Sequence, residues 1–196
     1  MKVFNLATLV IGLLPFFYCV YYVSASWFGY EGKLGADPAR ELVRFNGECA
    51  LVFLLLTQVP SPLRELTGIN LIAIRRTLGL LCFTYASLHF TAYLVLLLEF
   101  RFSDLAADLV KRPYISVGFA AFILLIPLAL TSNSWMIIKL YRRWKTLHML
   151  VYPALLLALL HLIWLTKNDY SSTLVYLLLG LTLLLARVWR SFTRQN

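Results

Sequence analysis

Charge is scarce in this sequence. Of 196 residues only 18 are Lys or Arg and 9 are Asp or Glu, whereas 61% are apolar and mean hydropathy is +0.77. A soluble domain carries about 25% charged residues to keep its surface wet. With 14%, this chain is excluded from that class. Period-two alternation is missing from the leucine-rich runs, which argues against a β-barrel. Low-complexity tracts, long linkers and an obvious internal repeat are missing too, so residues 1–196 read as a single all-α bundle. Cysteine is sparse: Cys19, Cys49 and Cys82 fall inside apolar runs and form no CxxC pair, zinc spacing or CxxCH haem-attachment motif. They read as small packing residues, and no nucleophile constellation accompanies them.

What is present is hydrocarbon length. Crossing about 30 Å of bilayer takes roughly 20 apolar residues in a helix. Six runs approach it: Val3–Ser24, Val43–Val59, Thr77–Leu98, Tyr114–Thr131, Thr146–Thr166 and Thr173–Trp189. The predicted fold is a polytopic bundle of about six transmembrane helices. Lys2, the first run and Ser24-Ala25-Ser26 imitate a secretory signal, but a signal's apolar core is usually about 7–15 residues, so the run is read as a retained first helix.

The net charge of +9 does not indicate nucleic acid, because the basic residues flank the spans rather than forming one basic face. The side holding both termini carries 11 Lys and Arg against 7 on the other, and of the acidic residues only Glu65. Short basic loops stay cytoplasmic, so both termini are predicted inside.

Histidine is rare as well, and its placement is informative. His89, His148 and His161 all fall within predicted spans, where an ionisable side chain is expensive unless it faces the bundle interior and does something there. The bland alternative is an interhelical hydrogen bond, which accounts poorly for all three. At 1.5 Å per residue, His89 lies roughly 18 Å beyond Thr77 and His161 roughly 22 Å beyond Thr146, one shared level on two helices. His148 lies roughly 3 Å beyond Thr146, about 20 Å from His161 along the same helix and rotated from it by about 140°, unless Pro153 kinks the helix. Two imidazoles at one depth suit the axial positions of a b-type haem. Zinc needs three or four converging ligands, which this spacing does not supply. Ser87, Thr84 and Thr91 are candidate partners for a ring nitrogen.

Arg75 and Arg76 abut the third span, and Arg142, Arg143 and Lys145 the fifth. Such clusters set topology and meet lipid headgroups, and they also suit haem propionates, a flavin phosphate or an acidic partner protein. Trp27, Trp135, Trp144, Trp164 and Trp189 sit near span ends and read as interfacial anchors.

Several ordered segments carry a family resemblance. Leu34-Gly35-Ala36-Asp37-Pro38, Arg75-Arg76-Thr77-Leu78-Gly79-Leu80, Leu88-His89, Lys111-Arg112-Pro113-Tyr114, Leu128-Ala129-Leu130-Thr131-Ser132, Arg143-Trp144-Lys145-Thr146-Leu147-His148 and Val151-Tyr152 resemble the MsrQ (YedZ) family, within the ferric reductase-like transmembrane group. The resemblance spans nearly the whole chain. It implies an electron-transfer subunit in the bacterial inner membrane, with the catalytic site on a partner. Electrons would come from a cytoplasmic flavin reductase or the quinone pool. They would leave to MsrP, a periplasmic molybdopterin methionine sulfoxide reductase that repairs oxidised proteins. The resemblance places His89, His161 and His148 at haem-iron positions and implies one or two haems b and FMN, for which no fingerprint is visible. The wider group tends to carry histidines fourteen residues apart on each of two helices. Here Arg75 stands fourteen before His89, so a haem at His148 has no obvious second histidine. It also implies that the loops Trp27 to Leu42 and Phe100 to Pro113 form the MsrP docking surface. Rival readings are a cytochrome b subunit of another membrane oxidoreductase, a small His-relay transporter or channel, which would be colourless, and a structural assembly subunit that tolerates loss of its histidines.

Overall fold

The computed structural model describes residues 2–27, 37–166 and 170–193. The charges at Glu31, Lys33, Lys167, Asp169 and Arg194, most of the loop 27–42 and the first part of the segment 34–38 lie outside the described residues.

The long apolar runs fold as helices α1 (Lys2–Trp27), α2 (Pro38–Leu56), α4 (Arg75–Ala92), α6 (Pro113–Leu130), α9 (Val151–Leu165) and α10 (Ser171–Thr193). Between them lie short helices α3 (Pro60–Thr67), α5 (Phe102–Lys111), α7 (Ser134–Leu140) and α8 (Arg142–His148). Six stretches are long and apolar enough to cross a membrane: Phe4–Ala25, Pro38–Thr67, Ile72–Leu97, Pro113–Leu130, Arg142–Leu165 and Ser171–Trp189. They match the six predicted runs, and no strand forms among the described residues. The chain is a multi-pass membrane protein. Its outer helices present apolar side chains outward, as Ile11 on α1 and Leu185 on α10 do at 65% and 66% exposure, a surface that suits lipid and not water.

Local chemistry sets the helix ends. Asp37 caps α2 by accepting from the Arg40 N–H at 3.1 Å, with Pro38 at the first helical position where a missing N–H is harmless. Pro60 and Pro113 start α3 and α6 in the same way. Asn133 caps α7 through Met136 N–H at 2.8 Å. Gly68 closes α3 at φ 74°, a left-handed conformation in which a side chain is strained.

Two helix pairs form the centre of the bundle, α2 against α4 and α6 against α9, joined through α4 and α6. α1 packs on α4 and α10 on α9. Between them Leu54, Leu81, Cys82, Tyr85, Ala154 and Leu155 are almost fully buried. All three cysteines are free, with Cys82 buried and Cys19 and Cys49 half-buried, as packing residues are.

The fifth run is not one straight helix. The Met149 and Leu150 N–H groups turn back to Thr146 O and Leu147 O, both at 3.1 Å and three residues away, and the chain resumes as α9. Pro153 has no N–H for Met149 O, which accepts instead from Tyr152 N–H at 3.1 Å. The third run also ends irregularly, in a wide π turn over Tyr93–Leu97 and two left-handed residues, Glu99 and Phe100.

Candidate functional site

The site begins with two imidazoles from two helix pairs. His89 on α4 and His161 on α9 come together with ring centroids 6.3 Å apart and planes at 79°. The common level expected from the sequence is what the bundle contains. Each ring is fixed from behind by the facing helix: His89 Nδ1 lies 2.7 Å from Val43 O on α2, and His161 Nδ1 lies 2.6 Å from Tyr114 O on α6. A carbonyl oxygen only accepts, so in both rings Nδ1 carries the proton and donates it. Both Nε2 atoms therefore keep a free lone pair, the tautomer a metal needs. Ser87 and Thr84, candidates for this supporting role, are occupied in their own helix by Phe83 O at 2.8 Å and Leu80 O at 2.9 Å. Backbone carbonyls of neighbouring helices have taken it over.

Both histidines line a cavity of about 510 Å³, within the range of roughly 300–1,000 Å³ typical of cofactor sites. Its walls are mostly apolar, with Leu54, Phe90, Phe119 and Phe122 among them, and Arg44, Glu48 and Tyr176 bring polar groups to it. No group of three His, Cys, Asp or Glu converges anywhere among the described residues, so a zinc site built from protein ligands is not assembled. Two imidazoles on their own suit an ion that brings its other ligands with it, as the iron of a planar macrocycle does.

His148 stays apart from this pair, at the junction of α8 and α9. Its ring stacks on Trp144 at 3.9 Å, its Nδ1 lies 3.1 Å from Trp144 O, its Nε2 lies 3.5 Å from Ser132 Oγ, and the Leu128 carbonyl is a further hydrogen-bond partner of the ring. Arg75 is close enough to act on it electrostatically, which brings the basic residues at the start of α4 and those of α8 to one end of the bundle. Arg142 leans over the Tyr141 ring at 5.8 Å. The ion pairs formed among the described residues, Arg40–Asp37, Arg44–Glu48, Arg101–Asp104 and Arg112–Asp108, involve none of Arg75, Arg76, Arg142 or Arg143.

Two expectations change. Trp144 is more than an interfacial anchor: its Nε1 donates to Thr131 O at 3.0 Å while its ring carries His148. Trp135, Trp164 and Trp189 are exposed at span ends, as anchors should be. The segment from Phe100 to Pro113, treated as a loop, contains α5, tied to the cavity wall where Tyr93 Oη donates to Asp108 Oδ2 at 2.5 Å.

Sequence reasoning missed Gly47 and Gly118. A Cβ built on Gly47 would stand 2.9 Å from His89 Nδ1, and one on Gly118 would stand 2.7 Å from His161 Nδ1. The available signal was the recurrence of a glycine at a similar distance before each deep histidine.

With this geometry, residues 47–159 match the family described as "Ferric reductase like transmembrane component". Over 180 residues, 90% of this chain and 82% of the relative's, the chain is 43% identical to the "Protein-methionine-sulfoxide reductase heme-binding subunit MsrQ" of Brucella ovis, and equally to those of Brucella canis and Brucella suis. The chain belongs to the MsrQ family of ferric reductase-like transmembrane proteins.

Proposed function

We propose that this chain is a haem-binding electron-transfer subunit of the bacterial inner membrane, with His89 and His161 as the axial ligands of one haem b. It would take electrons from a cytoplasmic flavin reductase or the quinone pool and deliver them to MsrP, the periplasmic methionine sulfoxide reductase, in support of protein repair. The observation that carries this reading is the imidazole pair. With each Nδ1 proton on a backbone carbonyl, the free Nε2 atoms of His89 and His161 are the groups that would hold one iron between the two rings. Their ring centroids stand 6.3 Å apart, in a cavity lined mainly by apolar side chains. The names of the Brucella relatives, which include heme binding and methionine sulfoxide reduction, support the same reading.

When bound, the haem supplies a one-electron ferric/ferrous couple. The chain's own residues do the rest. His89 and His161 would bind the iron through Nε2 while Val43 O and Tyr114 O hold the Nδ1 protons. Phe90, Phe119 and Phe122, which line the cavity, would keep water from a bound macrocycle and so help set its potential. His148 is proposed as a ligand of a second haem: its Nδ1 rests on a carbonyl as in the deep pair, and its second ligand would have to come from a side chain other than histidine. Arg75, Arg76, Arg142 and Arg143 are proposed to meet anionic groups of a haem, FMN or the electron donor.

Absorption spectra with iron and flavin quantitation test this directly. The purified protein should show a reducible b-type Soret band, and His89→Ala or His161→Ala should abolish most of it. A colourless wild-type protein whose ion flux titrates with histidine would favour a relay channel instead.

A further inference from the structure

The two deep histidines are held by the same backbone device, used twice. On α2 the accepting carbonyl is Val43 O, and the glycine against the ring is Gly47, four residues on. On α6 they are Tyr114 O and Gly118, again four residues on. The histidine follows its carbonyl by 46 residues in the first case and by 47 in the second. Spacing of four has a physical meaning in a helix. The carbonyl of residue i points toward residue i+4, whose Cβ tilts back toward the N-terminus and covers that oxygen. Without the Cβ, a donor from the neighbouring helix can reach the oxygen and share it with the helical N–H in a three-centre bond.

We propose that Gly47 and Gly118 are paired positioning residues. Each uncovers the carbonyl one turn before it, so that the imidazole of the facing helix donates its Nδ1–H there. The pair thereby sets the tautomer, orientation and electron-donating strength of His89 and His161. The proposal rests on the reading of that pair as axial haem ligands. A proton shared with a carbonyl makes an imidazole a more basic ligand, which stabilises ferric over ferrous iron.

Close helix packing is the ordinary use of a membrane glycine, and the chain contains that use too. A Cβ on Gly180 would meet a Leu159 methyl at 2.6 Å, and one on Gly79 would meet nothing within 4 Å. These two positions separate packing from positioning.

The test is a redox titration and ferric EPR spectrum of the full-length holoprotein carrying Gly47→Ala, Gly118→Ala, Gly79→Ala or Gly180→Ala. Gly47→Ala and Gly118→Ala should each raise the midpoint potential of the haem, change its low-spin g-values by turning a ring away from the 79° arrangement, and weaken haem retention roughly 10–100-fold. Gly79→Ala and Gly180→Ala should leave potential and g-values at wild type, even where Gly180→Ala lowers thermal stability. Wild-type potential and g-values in both Gly47→Ala and Gly118→Ala would overturn the proposal. If a variant loses haem altogether, nitrogen-15 histidine NMR of the haem-free full chain reads the tautomer. The Nδ1–H form should be present for His89 and His161 in wild type and lost at His89 in Gly47→Ala; its persistence there overturns the proposal. A wild-type protein that takes up no haem but shows the Nδ1–H tautomers would defeat the haem reading and leave the glycine device standing.

Discussion

One hydroxyl does for the first helix what the histidines' carbonyls do for the site. Tyr85 is 1% exposed, stacked on Phe53, and its Oη accepts from Phe16 N–H at 3.0 Å while donating to Gly12 O at 2.7 Å. Gly12 and Phe16 are four residues apart, the two ends of one helical hydrogen bond, so the hydroxyl sits within the ladder of α1. Pro15 has already weakened that ladder by removing a donor. Few residues of α1 are buried, and this contact is one of those that attach it to α4, beside the close approach of Gly12 to Leu81. Tyr85→Phe keeps the ring packing and deletes both bonds. It should cost about 1 kcal/mol. In a chain of this size that lowers the apparent Tm by about 2–4 °C, readable by detergent-solubilised thermal scanning. At this scale the sequence was uneven in what it revealed. Three histidines among so few polar residues are conspicuous in apolar runs, whereas a tyrosine or a lone glycine in a membrane helix is ordinary. What makes Tyr85, Gly47 and Gly118 special is the atom facing them on another helix, and one-dimensional spacing does not carry that.

Helix existence follows from hydrocarbon length, so the six spans were legible; what interrupts and connects them was less so. The short helices α3, α5 and α7, of 8, 10 and 7 residues, hide in segments too brief and too mixed to show a period. The break between α8 and α9 was foreshadowed by Pro153, yet its position at Met149 and Leu150 depends on which carbonyls find substitute donors. It also means that an angle computed along a straight helix does not relate His148 to His161. Glycines behave differently in the two settings. At Gly68, φ is 74° and nothing lies within 4 Å, so Gly68→Ala meets only backbone strain, about 1–2 kcal/mol. Gly79 lies inside α4 with equally open space, so Gly79→Ala should stabilise by about 0.5–1 kcal/mol. Thermal scans of the two variants should therefore move in opposite directions, and equal shifts would contradict the assignment of Gly68 to the turn.

For the molecule as a whole, direction is the property on which electron delivery depends, and it follows from charge placed at the two ends of the bundle. The end with α7, α8 and the start of α4 carries Arg75, Arg76, Lys139, Arg142, Arg143 and Lys145, and the ion pairs seen among the described residues involve none of them. The opposite end, with α5 and the start of α2, carries acids that are paired locally, as in Arg101–Asp104 and Arg112–Asp108. Lys and Arg beside the spans resist translocation, so the α7–α8 end is expected in the cytoplasm and the part of the histidine cavity lined by Arg44 toward the periplasm. Engineered cysteines can read this, because Cys19, Cys49 and Cys82 lie in spans and are half-buried or buried, out of reach of a charged reagent. Ser103 on α5 and Ser134 on α7 are exposed. In intact spheroplasts, Ser103→Cys should react with a membrane-impermeant maleimide and Ser134→Cys only after lysis. The reverse pattern would turn the chain over, place the deep histidine pair on the cytoplasmic side, and remove the reason for assigning it a periplasmic acceptor.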